Sequence, residues 1–149
     1  MGALVLDDFV PFRLSFTSNL VSETIARAYD ALFGLSIPEW RLIAVIAEND
    51  RISQQAIGVR TRMDKVTVSR AAIALVDRGL VAREPNPADK RSHLLRLTGD
   101  GHLLYGQIAP KALELERIIF GGFSTHEQAS FVEMLRRIDA AALEVTGER

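Results

Sequence analysis

The segment from Arg60 to Arg96 constrains this chain more than any other. Short polar and basic residues, Met63-Asp64-Lys65-Val66-Thr67-Val68-Ser69-Arg70, open a helical pattern, and Gly79-Leu80 closes it. A β-run follows, then a tip rich in Pro and Asn that carries Asp89-Lys90-Arg91, then a second β-run. A helix that runs into a β-hairpin matches the outline of a DNA-reading helix with a wing. The charge agrees. Arg60 to Arg96 holds nine Lys/Arg against four Asp/Glu, a local +5 in a chain whose net charge is −1, which leaves −6 elsewhere. One basic segment in a slightly acidic protein is an electrostatic footprint for phosphate.

The flanks read as helices. Residues 9–33 form a long helical pattern with Pro11 in the first turn and Leu14, Val21, Ile25, Ala28 and Leu32 on one face. Phe9, Phe12 and Phe16 add apolar surface, and Gly34 is the stop. Ser36-Ile37-Pro38-Glu39 is a capping box that opens a helix through about Ala47, with Trp40, Ile43, Ala44 and Ile46. Asn49-Asp50 breaks it, and Ile52 is expected in a very short strand. Ser53 caps a helix of about 54–60, and Asp64 caps the next, about 65–78, whose buried stripe is Val68, Ala72, Leu75 and Leu80. Strands are expected at 80–84 and 93–98 around a turn-rich tip. Another helix runs to about Phe120, with Pro110 expected to kink or split it. Ser124-Thr125-His126-Glu127 opens a last helix, about 125–146, with Phe131, Leu135, Ile138 and Ala142 at helical spacing.

The fold class is therefore mainly α with a small β-hairpin wing (α+β): a winged helix-turn-helix flanked by N- and C-terminal dimerisation helices. The segments are 1–34 for the N-terminal dimerisation helix, 35–100 for the DNA-binding lobe and 101–149 for the C-terminal dimerisation helices, in one compact domain overall. A small central module leaves little surface for the flanking apolar stripes. They are expected to pack together, within one chain and across a homodimer.

Composition removes other classes. A hydrophobic share of 48% and a charged share of 25% are ordinary for a packed domain, which argues against extended disorder. There is no cysteine, so disulfides, thiolate metal sites and cysteine redox sensing are excluded. Asp7 and Asp8 interrupt the N-terminal apolar residues, so no secretory leader is expected, and no apolar run reaches the ~18 residues of a membrane helix. A cytoplasmic protein without membrane partners follows. His93, His102 and His126 lie far apart and form no metal pair, and no phosphate-binding glycine loop or nucleophile motif occurs. No enzyme activity, metal or cofactor is expected.

The basic segment assigns contacts by residue type. A helix fits the major groove, where base edges present a distinct donor and acceptor code. Lys65, Thr67, Ser69 and Arg70 are the candidate readers, with Val66 placed to touch a thymine methyl. Arg60 and Arg62, between the two helices, are candidate phosphate contacts. Ser53, Gln54 and Gln55 offer free N–H groups at a helix start, an anion site. In the wing, Asn86, Asp89, Lys90 and Arg91 can reach an adjacent minor groove, with Asp89 pairing with Arg91 to aim its guanidinium.

These residues resemble the MarR family of winged-helix transcription regulators. The resemblance rests on Leu35-Ser36-Ile37-Pro38-Glu39-Trp40-Arg41, on Met63 to Arg70, and on Asp77-Arg78-Gly79-Leu80-Val81. It continues through Asn86-Pro87-Ala88-Asp89-Lys90-Arg91 in the wing and Leu97-Thr98-Gly99-Asp100-Gly101 beyond it. The wing Asp-Lys-Arg followed by Leu-Thr-x-x-Gly is its most specific part. It implies a homodimer on a pseudo-palindromic double-stranded DNA operator, and repression relieved by a small, often aromatic effector. Candidate pocket residues are Phe12, Arg13, Phe16 and Trp40, which offer aromatic walls and one cation. Ile73 and Val76 depart from the family, standing where relatives are often polar, and are expected to face a pocket or another helix. The alternative function is a winged helix for protein–protein assembly without DNA.

Overall fold

The computed structural model describes residues 2–148. A single 3₁₀ turn at Leu6–Asp8 precedes α1 (Val10–Phe33), α2 (Ile37–Asn49), β1 (Ile52–Ser53), α3 (Gln54–Thr61) and α4 (Lys65–Asp77). The chain continues through β2 (Val81–Pro85), β3 (His93–Leu97), α5 (Gly99–Phe120) and α6 (Thr125–Thr146). Two compact units divide it, with the boundary between Ala109 and Pro110. Pro110 sits inside α5 and does not split that helix.

In the first unit the strands form an antiparallel sheet of order β1-β3-β2. Ile52 pairs with Leu95, and Val81 pairs with Leu97. Paired residues share a face of the sheet. That face, with Leu35, Leu42, Ile43, Ile46 and Ile57 from the helices, makes the core. From α4 come Val68, Ala71, Ala72 and Leu75, so the expected stripe is present and gains Ala71. From α5, Ile108 is fully buried. Val76, expected at a pocket or another helix, packs partly buried against this core.

The helix starts form as their caps dictate. Ser36 and Glu39 exchange reciprocal hydrogen bonds at the head of α2. The Ser53 hydroxyl accepts from the Ala56 N–H at 3.2 Å, heading α3. α1 differs from its pattern. Its buried residue is Tyr29; of the expected stripe Val21, Ile25 and Ala28 are half-buried, whereas Leu14 and Leu32 are exposed. Tyr29 is drawn in because its ring meets Trp40, with centroids 5.3 Å apart.

The Leu97-Thr98-x-x-Gly101 run joins the wing to α5. Thr98 donates its N–H to the Leu80 carbonyl at 3.0 Å and its hydroxyl to the Gly79 carbonyl at 2.6 Å. The same hydroxyl accepts the Gly101 N–H at 3.1 Å. A Cβ on Gly101 would lie 2.1 Å from the Leu80 carbonyl oxygen, so only glycine allows this approach.

The second unit holds the rest of α5, the turn and α6. Ser124 and Glu127 form the expected capping box. Gln128 Nε2 donates to the carbonyls of Phe120 and Phe123, closing the turn. No described residue of α6 is buried. Of its expected stripe, Leu135 is half-buried while Phe131, Ile138 and Ala142 are exposed. No helix among the described residues is long and apolar enough to cross a membrane.

Candidate nucleic-acid interface

The candidate reading helix, α4, begins at a tight cap. The Asp64 carboxylate accepts the Thr67 N–H at 2.8 Å and the Thr67 hydroxyl at 2.9 Å. These two bonds favour the ionised form and hold the Asp64 carboxyl below its ordinary range. Thr67, a candidate base reader, thus spends its hydroxyl proton on the cap. Its hydroxyl remains an acceptor.

Helical spacing sorts the rest of α4. At about 100° per residue, Val68, Ala71, Ala72 and Leu75 share one side. The opposite side carries Val66, Arg70, Ile73 and Asp77, all exposed. Lys65 is exposed and Ser69 is half-buried on the flank of that face. Ile73 therefore points away from the core.

A cleft of about 720 Å³ lies where three candidate contact elements converge. It is lined by Gln54 and Gln55 from the start of α3, Lys65 from α4, and Arg91 from the wing. It also takes in Val59, Met63 and His93, which the sequence reading left out. Val59 is an exposed apolar residue two positions past the buried Ile57 of α3, and local pattern alone does not separate the two. His93 stands at the start of β3, opposite Pro85, a pairing that local periodicity does not reveal.

The wing tip is bonded to itself. Asn86 Oδ1 accepts the Ala88 N–H at 3.0 Å, and Asn86 Nδ2 donates to the Ser92 hydroxyl at 3.0 Å. Asp89 Oδ1 accepts the backbone N–H of Arg91 at 2.9 Å. Asp89 thus shapes the turn through the main chain, not by pairing with the Arg91 guanidinium as the sequence suggested. Lys90 and Arg91 are exposed on this hydrogen-bonded tip.

The remaining candidates divide. Arg60 Nη1 donates to Asn49 Oδ1 at 2.6 Å, and Asn49 Nδ2 donates to the Val45 carbonyl at 2.6 Å. Arg60 therefore ties α3 to the end of α2. Arg62 caps α3 in the left-handed region at φ 57°. Farther away, Arg13 pairs with Asp7 at 3.2 Å and lies 5.1 Å over the Phe16 ring, with Phe12 beside Phe16. Trp40 instead packs against Tyr29 with the rings tilted by 58°. Thirteen helical residues separate Phe16 from Tyr29, about 20 Å along α1. Within one chain, Phe12, Arg13 and Phe16 do not share a pocket with Trp40.

The arrangement is a winged helix-turn-helix: α3 and α4 form the two-helix unit, and β2 and β3 form the wing. The MarR family model matches residues 33–92, which span this unit and the wing. Over these residues the chain is similar to the MarR family of transcription regulators. It is 29% identical over 119 residues to the transcriptional regulator HosA of Escherichia coli O111:H-, covering 80% of this chain and 88% of HosA. Its fold matches a MarR/EmrR family transcriptional regulator from Acinetobacter sp. ADP1 with a TM-score of 0.86 at 24% identity, covering 95% of this chain and 99% of that one. It also matches Bordetella bronchiseptica BpsR, whose DNA binding is regulated by 6-hydroxynicotinic acid. There the TM-score is 0.84 at 23% identity, covering 93% of this chain and 98% of that one. The Leu97-Thr98-x-x-Gly101 run, just beyond the matched residues, ties the wing to α5 through the bonds of Thr98.

Proposed function

We propose that this MarR regulator binds a pseudo-palindromic DNA operator as a cytoplasmic homodimer and represses transcription until a small aromatic acid releases it. The observation that carries the reading is the convergence of α3, the basic start of α4 and the wing on one cleft, with Lys65 and Arg91 in its lining. Lys65, Val66, Ser69 and Arg70 enter the major groove. Arg62, Lys90 and Arg91 contact phosphate or the minor groove, and the capped start of α3 at Ser53, Gln54 and Gln55 receives a phosphate. In a dimer the two reading helices occupy successive major grooves, about one helical turn (~34 Å) apart.

Dimerisation draws support from exposed apolar side chains on α1, including Leu14, Phe16 and Leu20, and on α6, including Phe131, Met134 and Ile138. The effector acts through its different affinity for two spacings of the reading helices. Its aromatic character is proposed by likeness to BpsR and its 6-hydroxynicotinic acid, with Phe12, Arg13, Phe16 and Trp40 as candidate contacts. The dimer can unite what one chain holds apart. The protein performs no catalytic step in this reading.

The test is fluorescence anisotropy with the full chain and DNA recovered from a random pool by selection. Binding with an affinity that falls steeply as salt rises is expected, because phosphate contacts release counterions. No selectable DNA, or salt-insensitive binding, overturns the reading in favour of a protein–protein assembly module. Calorimetry against a panel of aromatic acids tests the effector; silence across the panel removes it.

A further inference from the structure

We infer that α4 presents an apolar–cation–apolar face, Val66–Arg70–Ile73, which selects half-sites with thymine on both sides of a guanine, and that Ile73 determines the specificity of the distal contact. The inference rests on the DNA-reading role proposed above.

Val66 is 57% exposed and Ile73 is 48% exposed. Both stand opposite the buried side of α4, so neither is held there by core packing. Helix propensity does not explain them either, because β-branched residues are weaker helix formers than the Lys, Arg or Ala alternatives. An exposed helix site normally carries a polar side chain, and here two isoleucine-type branched residues bracket a single arginine on one stripe. The next residue on that stripe is Asp77, whose charge repels phosphate, so the DNA-facing part of the stripe ends at Ile73.

The chemistry that matches this face is in the major groove. The thymine C5-methyl is the apolar feature of the groove edge, and guanine O6 and N7 accept a guanidinium bidentately. Val66 and Ile73 are seven residues apart, about 10 Å along the helix. At about 3.4 Å per base pair, that spans roughly three steps. Arg70 lies between them, so the guanine falls between the two methyl contacts. Residues that read by hydrogen bonding alone would not discriminate thymine from uracil, because both present the same O4 acceptor. A methyl-reading residue does.

The experiment uses the full chain and its selected DNA, with each thymine replaced singly by deoxyuridine, which deletes only the methyl. For wild type, loss of the methyl facing Ile73 is expected to weaken binding about fourfold, the equivalent of one buried carbon. Ile73→Ala is expected to bind that deoxyuridine DNA and its thymine parent equally, while Ile73→Val retains the discrimination. Ile73 is outside the core, so circular dichroism should find both variants folded. Wild type that binds the selected DNA without sensitivity to any deoxyuridine overturns the inference and leaves DNA binding intact. So does a sensitivity that Ile73→Ala leaves unchanged at every thymine. Failure to bind any DNA removes the proposed function and this inference with it.

Discussion

Arg78, the residue that ends α4, holds the last carbonyls of α1: its Nη1 donates to the Gly34 carbonyl at 3.1 Å and its Nη2 to the Phe33 carbonyl at 3.2 Å. Helix C-termini leave carbonyls without intrahelical partners. A guanidinium fork suits two adjacent carbonyls, and a cation is favoured at that end of the dipole. α4 and α1 are thereby joined at their ends. Arg78→Ala should lower stability by about 1–2 kcal/mol in urea unfolding, the scale of two exposed charge-assisted hydrogen bonds. Arg78→Lys should recover only part of that loss, because an ammonium lacks the planar fork. Full recovery by lysine would reduce the link to simple charge.

Glu84 of β2 serves two arginines. Arg96 Nε of β3 pairs with it at 2.5 Å, and Arg51 Nε, just before β1, at 3.4 Å. One carboxylate therefore links β2 to β3 and to the residue that precedes β1. Both arginines are substantially exposed, so solvent screens the gain. Glu84→Gln should cost about 1 kcal/mol at low salt. The difference should vanish near ~1 M salt, where the screening length is about 3 Å. A loss that persists at high salt would mean that the carboxylate's hydrogen bonding, not its charge, matters.

The Asp64 cap ties α4 to pH. Its folded pKa is depressed, chiefly by the Thr67 N–H and then by the Thr67 hydroxyl. A depressed carboxyl contributes stability that is full above its ordinary value of 3.8 and is lost as pH falls through the lower folded value. The Asp64 carboxyl resonance should therefore titrate below 3.8, and α4 amides should lose exchange protection first in that acid range. Asp64→Ala should remove the pH response and fray the start of α4 at neutral pH, while Asp64→Ser should keep the cap without the titration. An Asp64 that titrates at its ordinary value would contradict the bonding seen here.

What was legible in the sequence is what acts over short range. The caps at Ser36, Ser53, Asp64 and Ser124 each act within three residues, and the Val68–Leu75 stripe repeats with the helix itself. Leu97-Thr98-x-x-Gly101 was legible as a motif, although its reason, the contact of Gly101 with the Leu80 carbonyl, is tertiary. Other features depend on partners distant in sequence. Arg60 was expected at phosphate, and nothing local announced its bond to Asn49. Tyr29 joins the half-buried Val21, Ile25 and Ala28 of the α1 stripe because Trp40 lies across from it in the fold. Phe16 and Trp40 both looked like pocket walls, yet the length of α1 separates them within one chain. Ile73 was expected to face a pocket or another helix. Only the position of the buried face of α4 shows it turned outward beside Arg70.

The wing offers the sharpest test of how a short acidic residue positions a basic one. Asp89 accepts the Arg91 N–H, so its work is to hold the turn from which Arg91 projects. Asparagine has the same Oδ1 acceptor and commonly makes the same turn. Asp89→Asn should therefore keep operator affinity, or raise it slightly by removing a negative charge near phosphate. Asp89→Ala loses the acceptor and should weaken binding toward the level of Arg91→Ala. Arg91→Ala itself should reduce the slope of log affinity against log salt by about 1, the signature of one lost phosphate contact. Measured by anisotropy across a salt series, this set separates two roles for Asp89. If Asp89→Asn falls to the level of Asp89→Ala, the carboxylate charge aims the guanidinium. If Asp89→Asn behaves as wild type, the turn is what delivers Arg91 to DNA.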